Sequence, residues 1–187
     1  MPFIATDIKG LLVFEPRVFG DSRGYFFESY NENTFREAGI NIRFVQDNQS
    51  SSSYGVIRGL HFQLPPYAQT KLVRVLSGAI LDVAVDIRQG SPTYGKAYML
   101  ELSAENKKQL LIPAGFAHGF SVLSEKAEVL YKCDTFYNKE SEGGISYNDP
   151  ALGINWQIPA GSEIISEKDA ALPLLSNAKN SFVFESQ

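Results

Sequence analysis

Lys71-Leu72-Val73-Arg74-Val75-Leu76-Ser77-Gly78-Ala79-Ile80-Leu81-Asp82-Val83-Ala84-Val85-Asp86-Ile87 is the stretch on which the fold class turns. Leu81, Val83, Val85 and Ile87 alternate with Ile80, Asp82, Ala84 and Asp86, the period of two expected of a strand with one well-buried face. The run before it is β-branched and aliphatic, and Ser77-Gly78 between the two reads as a tight turn or bulge. Working outward, Gln109-Leu110-Leu111-Ile112 stops at Pro113-Ala114-Gly115, and Ala117-His118-Gly119-Phe120-Ser121-Val122-Leu123 begins another strand. Glu128 to Tyr137 reads as one more. Short strands with turns every ten or so residues point to an all-β sandwich or barrel.

Helical signals are few. Asn31 to Gly39 carries a capping residue at its start and a terminating glycine. Ser166-Glu167-Lys168-Asp169 has the form of a capping box opening a second short helix. Gln49-Ser50-Ser51-Ser52-Ser53-Tyr54-Gly55 is the one low-complexity stretch and is too short for a domain linker. Residues 1–187 are therefore expected to form one domain, with a tail from about residue 176 to 187.

The chain has 187 residues, 44% of them hydrophobic and 20% charged, which suits one core of ordinary size. Nothing approaches 18 uninterrupted apolar residues, and no basic patch precedes an apolar run at the N-terminus. The single cysteine, Cys133, points to a reducing compartment, so a cytoplasmic protein is expected. A net charge of −4 argues against a nucleic-acid binder, though a few cations in one cleft can still hold a small anion. Two histidines exclude a three-His metal site within one chain, and a mixed site with carboxylates or Cys133 has little support.

His61, in Arg58-Gly59-Leu60-His61-Phe62-Gln63, is a candidate general base, since an unperturbed imidazole titrates near neutrality, but this segment alone favours a core histidine bonded to backbone. Strict alternation puts Arg58 and His61 on opposite faces, so Gly59 must allow a bend if both serve one site. His118 follows the Pro113-Ala114-Gly115 turn, which would aim it into a barrel mouth. Asp82 could orient either imidazole, although an exposed aspartate is the default. Tyr131 and Tyr137 share parity with Cys133 and Thr135, and a phenol can donate a proton or offer a stacking surface. Asp169 has an alternative reading as the acid of the capping box, and Arg23, Arg58, Lys71 and Lys168 are individually ordinary cations.

In order along the chain, Arg58-Gly59-Leu60-His61-Phe62-Gln63, Lys71 to Gly78, Ile112-Pro113-Ala114-Gly115-Phe116-Ala117-His118-Gly119-Phe120, Tyr131-Lys132-Cys133 with Tyr137, and Ser166-Glu167-Lys168-Asp169 together resemble the dTDP-4-dehydrorhamnose 3,5-epimerases. These are sugar-nucleotide epimerases of the cupin superfamily. The resemblance implies a double-stranded β-helix (cupin jelly roll), a homodimer with sites shared across its interface, no cofactor and no metal. The implied substrate is dTDP-4-dehydro-6-deoxy-D-glucose, inverted at C3 and C5. By resemblance His61 is the base, Asp169 its partner, Tyr131 the acid, and Lys71 the charge beside the C4 oxygen, with His118 a further donor there. Arg23, Arg58 and Lys168 match substrate-contacting cations, and Tyr137 matches the aromatic that stacks on thymine. Glu28, Gln46, Asp47, Asn48 and Glu142 match further substrate contacts, while Phe19 and Arg23 are implied to reach the neighbouring subunit's site. The alternatives are an epimerase acting at C3 or C5 alone and a non-catalytic cupin that binds a sugar nucleotide.

Overall fold

The computed structural model describes residues 2–185. Its strands are β1 (Phe3–Ala5), β2 (Leu12–Phe14), β3 (Phe19–Asp21), β4 (Gly24–Phe26), β5 (Gln46–Ser53), β6 (Ile57–Gln63), β7 (Lys71–Ser77), β8 (Ala79–Asp86), β9 (Ala97–Ser103), β10 (Gln109–Ile112), β11 (Phe116–Val122), β12 (Lys126–Cys133) and β13 (Glu142–Gly144). One sheet runs β1-β2-β10-β7-β12-β5 and a second runs β13-β6-β11-β8-β9; β3 and β4 pair only with each other. From β5 to β8 successive strands alternate between the two sheets, as do β10, β11 and β12. Antiparallel strands that wind between two facing sheets make the double-stranded β-helix, the jelly roll expected of the sequence.

Ser77-Gly78 is accordingly a corner between sheets, because β7 and β8 do not pair. Gly78 has φ +77°, and a side chain there would fall 2.1 Å from the Lys126 carbonyl oxygen. The low-complexity serines form β5, an edge strand hydrogen-bonded to β12 along its whole length. Serines suit an edge, where one side of the ladder meets water. The strand read from Glu128 to Tyr137 in fact ends at Cys133, leaving Tyr137 in the loop beyond.

The alternation of β8 predicts one buried face, but both are buried. Ile80 and Ala84 pack between the sheets with Val73, Val75, Phe120 and Val129. Leu81, Val83 and Val85 pack on the other side, under a layer from the C-terminal third that includes Ile145, Leu152 and Trp156. Phe14, Leu72 and Leu111 close the outer face of the first sheet beneath Phe35 of α1 (Glu32–Glu37).

The tail docks on its own chain. Gln89 N–H donates to the Phe182 carbonyl at 2.8 Å, and Phe184 N–H donates to the Gln89 carbonyl at 2.9 Å. Phe182 packs edge-on against Phe62, and the Arg88 guanidinium lies between the rings of Phe116 and Phe184. The last two residues of the tail lie outside the described residues.

Arg88 is held in turn by Asp86, whose fully buried carboxylate accepts from Arg88 Nε and Nη2 at 2.8 Å each, from Ser91 Oγ and from Thr93 Oγ1. Burial pushes the Asp86 carboxyl upward, but these four donors and the Arg88 N–H outweigh it and hold the group below its ordinary value. A carboxyl more acidic in the folded than in the unfolded chain stabilises the fold at neutral pH, and that stabilisation is lost as pH falls through the folded value. Asp86→Ala strands the Arg88 charge and is expected to lower the unfolding free energy by about 3 kcal/mol, read as the urea midpoint at neutral pH. An unchanged midpoint would show that the cluster is not a fastening point of the tail.

Candidate active site

Between the sheets lies a cavity of about 250 Å³. Strands β6 and β11 bring Arg58, His61 and His118 to it from one sheet; β5, β7 and β12 bring Asn48, Lys71 and Tyr131 from the other. Each side chain arrives by strand parity except the Arg58–His61 pair, which alternation keeps apart. A bulge resolves that conflict. Opposite β11, His61 pairs with His118 and Arg58 with Phe120, so Gly59 and Leu60 together face Gly119 alone. The extra residue returns Arg58 to the inner face while Ile57, Leu60 and Phe62 stay in the outer core.

Gly59 makes the bulge possible. Its φ of +117° is open to glycine, and a Cβ there would sit 2.6 Å from Gly119 Cα and 2.7 Å from the His118 carbonyl oxygen. Its N–H donates to Asp169 Oδ2 at 3.1 Å. The other carboxylate oxygen, Oδ1, lies 2.7 Å from His61 Nε2. Asp169 sits in α2 (Glu167–Ala170), whose Ser166 Oγ caps it by accepting from the Asp169 N–H at 3.1 Å. The capping box is thus only half made, since the Asp169 side chain turns to His61 and Gly59. Burial raises the Asp169 carboxyl, but His61, the Gly59 N–H and Lys168 together hold it below its ordinary value, so it stays ionised beside the imidazole.

His118 has a carboxylate partner of its own. Its Nε2 lies 2.7 Å from Asp82 Oδ1, and Asp82 is wholly buried where the sequence reading defaulted to an exposed residue. The two imidazoles differ in access: the His61 side chain is 32% exposed and that of His118 only 7%. Lys71 Nζ stands 5.8 Å from the centre of the Tyr131 ring. Burial lowers the Lys71 ammonium, while Cys133, Asp82 and Glu142 draw it partly back. Burial raises the Tyr131 phenol above its ordinary value, and Arg58 and Asn48 offset only part of that.

A second recess of about 510 Å³ shares His61 and is lined by Glu142 and Lys168. Lys168 Nζ bonds Glu142 Oε1 at 2.5 Å, and Tyr137 Oη donates to Glu142 Oε2 at 3.4 Å. The Tyr137 N–H donates to Gln46 Oε1 at 3.0 Å, and Gln46 Nε2 to Asn48 Oδ1 at 3.1 Å, so the loop bearing the exposed Tyr137 ring is tied to the cavity's edge. Gln63, not singled out from the sequence, holds the same loop by accepting from the Asn138 N–H at 2.7 Å and donating to the Phe136 carbonyl.

Four expected contacts stand apart. Asp47 has the opposite parity to Gln46 and Asn48 on β5, and its carboxylate pairs with Lys132 Nζ at 3.0 Å outside the cavity. Phe19 and Arg23 lie on the β3–β4 hairpin, where Arg23 bonds Asp21 at 2.6 Å and is almost fully exposed. Glu28, which accepts from Asn31 Nδ2, lies beside α1. None of these three lines the His61 cavity of its own chain.

The sequence model described as dTDP-4-dehydrorhamnose 3,5-epimerase matches residues 5–177. The chain belongs to the dTDP-4-dehydrorhamnose 3,5-epimerase family. The Salmonella typhimurium dTDP-4-dehydrorhamnose 3,5-epimerase is 56% identical over 179 residues, 95% of this chain and 97% of that protein. The crystal structure of the dTDP-4-dehydrorhamnose 3,5-epimerase from Elizabethkingia anophelis superposes with a TM-score of 0.90 at 56% identity, covering 94% of this chain and 96% of that one. A Legionella pneumophila epimerase, solved in complex with dTDP-4-keto-L-rhamnose, gives a TM-score of 0.89 at 50% identity over 94% of this chain and 93% of its own. Among the described residues of this epimerase-family chain, no group of three His, Cys, Asp or Glu side chains is placed to hold a metal, and no helix is long and apolar enough to cross a membrane.

Proposed function

We propose that the protein inverts C3 and C5 of dTDP-4-dehydro-6-deoxy-D-glucose to give dTDP-4-dehydro-L-rhamnose. The observation that carries this is the His61–Asp169 pair, 2.7 Å apart, on one wall of a cavity whose facing wall holds Tyr131. Both carbons adjoin the C4 ketone, so removing either proton gives an enolate instead of a bare carbanion. His61 Nε2 is engaged by Asp169, which leaves Nδ1 as the basic nitrogen. Asp169 fixes that tautomer and balances the imidazolium once the proton has moved. Tyr131 returns a proton from the opposite face, which is what inverts the centre. Its phenol, held above its ordinary value, keeps its proton at neutral pH and gives it up to the much more basic enolate.

Lys71 and His118 stand where charge on the C4 oxygen develops. Arg58, whose Nε bonds Ser52 Oγ at 3.0 Å, offers a fork to the pyrophosphate. Tyr137, with Gln46, Glu142 and Lys168 around it, takes the thymidine end, and Asn48 contacts the sugar nucleotide from β5. The β3–β4 hairpin, carrying the exposed rings of Phe19, Tyr25 and Phe26, serves a second copy of this chain, so that Phe19, Arg23 and Glu28 complete the partner's site in a cytoplasmic homodimer. Residues 1–187 act as one epimerase domain.

Incubation of the ketosugar in heavy water, followed by NMR, tests the assignment. Deuterium at both C3 and C5 of an L-rhamno product is expected, and label at neither position ends the reading. Tyr131→Phe is expected to slow product formation by about a hundredfold or more while proton removal by His61 continues. Product formed at the wild-type rate by that variant would take Tyr131 out of the acid's role.

A further inference from the structure

The two imidazoles that face the cavity are each bonded through Nε2 to a buried carboxylate at the same 2.7 Å, but the carboxylates differ. Asp169 has a donor for each oxygen: His61 at Oδ1 and the Gly59 N–H at Oδ2, with Lys168 nearby. Asp82 is fully buried, and its Oδ2 has no hydrogen-bond partner among the described residues. Among the described residues His118 is thus the one hydrogen-bond partner of a carboxylate sealed away from water. A buried carboxylate with one partner depends on that partner for compensation.

We propose that Asp82 is a positioning residue for the inversion chemistry, fixing His118 through Nε2 so that its Nδ1 donates a proton-bearing contact to the substrate oxygen that becomes negative. This rests on the reading of the cavity as a site of proton abstraction beside a ketone. An ionised Asp82 can only accept, so His118 Nε2 carries a hydrogen. For Nδ1 to donate as well, the ring must carry both protons, and the charge this creates is balanced by the carboxylate behind it. Lys71 shares the same field, being close enough to Asp82 for the carboxylate to favour its ammonium form. The site then holds two imidazoles with opposite tasks. His61, the more open and with a carboxylate shared among several donors, accepts protons; His118, the more buried and with a carboxylate to itself, supplies fixed positive charge.

A double-mutant cycle tests this, using turnover of the ketosugar by the wild type, Asp82→Asn, His118→Ala and the double variant. Asp82→Asn is expected to lower kcat roughly a hundredfold, the loss typical of one oxyanion donor, with KM and dTDP affinity unchanged. In the His118→Ala background the same change is expected to cost no more than about threefold. An equal loss in both backgrounds, or wild-type kcat in Asp82→Asn, overturns the proposal. Should Asp82→Asn fail to fold, nitrogen-15 NMR of the wild-type protein with labelled histidine decides it. Protons on both His118 ring nitrogens are expected, and a ring that carries only one, at either nitrogen, overturns the assignment. Absence of any deuterium exchange by the wild type sinks the epimerase reading itself; exchange by the wild type with an additive cycle sinks only the role of Asp82.

Discussion

His61→Ala is expected to abolish deuterium entry at both C3 and C5, with turnover falling by a factor of about 10³ to 10⁴. Among the described residues lining the cavity none is assigned to replace it as base, Lys71 being the charge beside the C4 oxygen. His118, bonded to Asp82 through Nε2, is assigned to donate through Nδ1 to the substrate oxygen, and Asp169 reaches the cavity only through the His61 ring. Tyr131 is a protonated phenol on the facing wall. Removing one imidazole therefore removes proton abstraction from one face for both carbons, since both lie beside the same ketone. Binding of dTDP is expected to persist, because Arg58, Gln46, Tyr137 and Lys168 are untouched. The measurement pairs NMR of the sugar in heavy water with calorimetric titration of dTDP. Exchange at wild-type rate at either carbon would assign that carbon's proton to another base. Loss of dTDP binding together with exchange would mean that the variant had lost the site as a whole.

Gly59→Ala carries the next largest effect, through geometry alone. The added methyl meets Gly119 Cα at 2.6 Å and the His118 carbonyl oxygen at 2.7 Å, both backbone atoms that no rotamer change can move aside. The backbone must also hold φ +117° with a side chain attached. Overpacking and left-side strain together are expected to cost about 3 kcal/mol or more of stability. If β6 escapes by losing the bulge, Arg58 and His61 return to opposite faces and the Gly59 N–H leaves Asp169, so activity falls about as far as in His61→Ala. Gly153→Ala is the control. That residue also has a positive φ, +59°, but nothing within 4 Å of the added methyl, so it reports a methyl on left-handed backbone without the clash, a cost of about 1 kcal/mol. Urea midpoints of the two variants, with the exchange assay, separate the contributions. Equal destabilisation at both positions would mean that the close approach of β6 and β11 is not what demands glycine.

The site residues divide by how far strand parity alone could place them. Lys71 and Tyr131 lie on regular strands, and their alternation with aliphatic neighbours is enough to aim them at the interior. Arg58 and His61 conflict with alternation, and the glycine between them was the visible sign that it fails there. Asp82 shows the limit of the period-two argument. The same pattern fits a strand with a wet face and one covered on both sides, and only the C-terminal layer distinguishes them. Tyr137 reads as part of the strand of Tyr131, but hydrogen bonds from its own N–H to Gln46 and from the neighbouring Asn138 N–H to Gln63 fix it in a loop, and such contacts across 91 and 75 residues leave no local trace.

The succession of short alternating runs and the turn residues between them determined an all-β sandwich or barrel, since hydrophobic period and turn chemistry are properties of neighbouring residues; the double-stranded β-helix and the epimerase family followed from the resemblance of the ordered motifs from Arg58 to Asp169. Which carboxylate meets which imidazole was decided by folding. Asp169 lies 108 residues from His61, and Asp82 lies 36 from His118. A hydrogen bond depends on where two backbones are carried in space, and here that was set by one bulge and one short helix packed against β6.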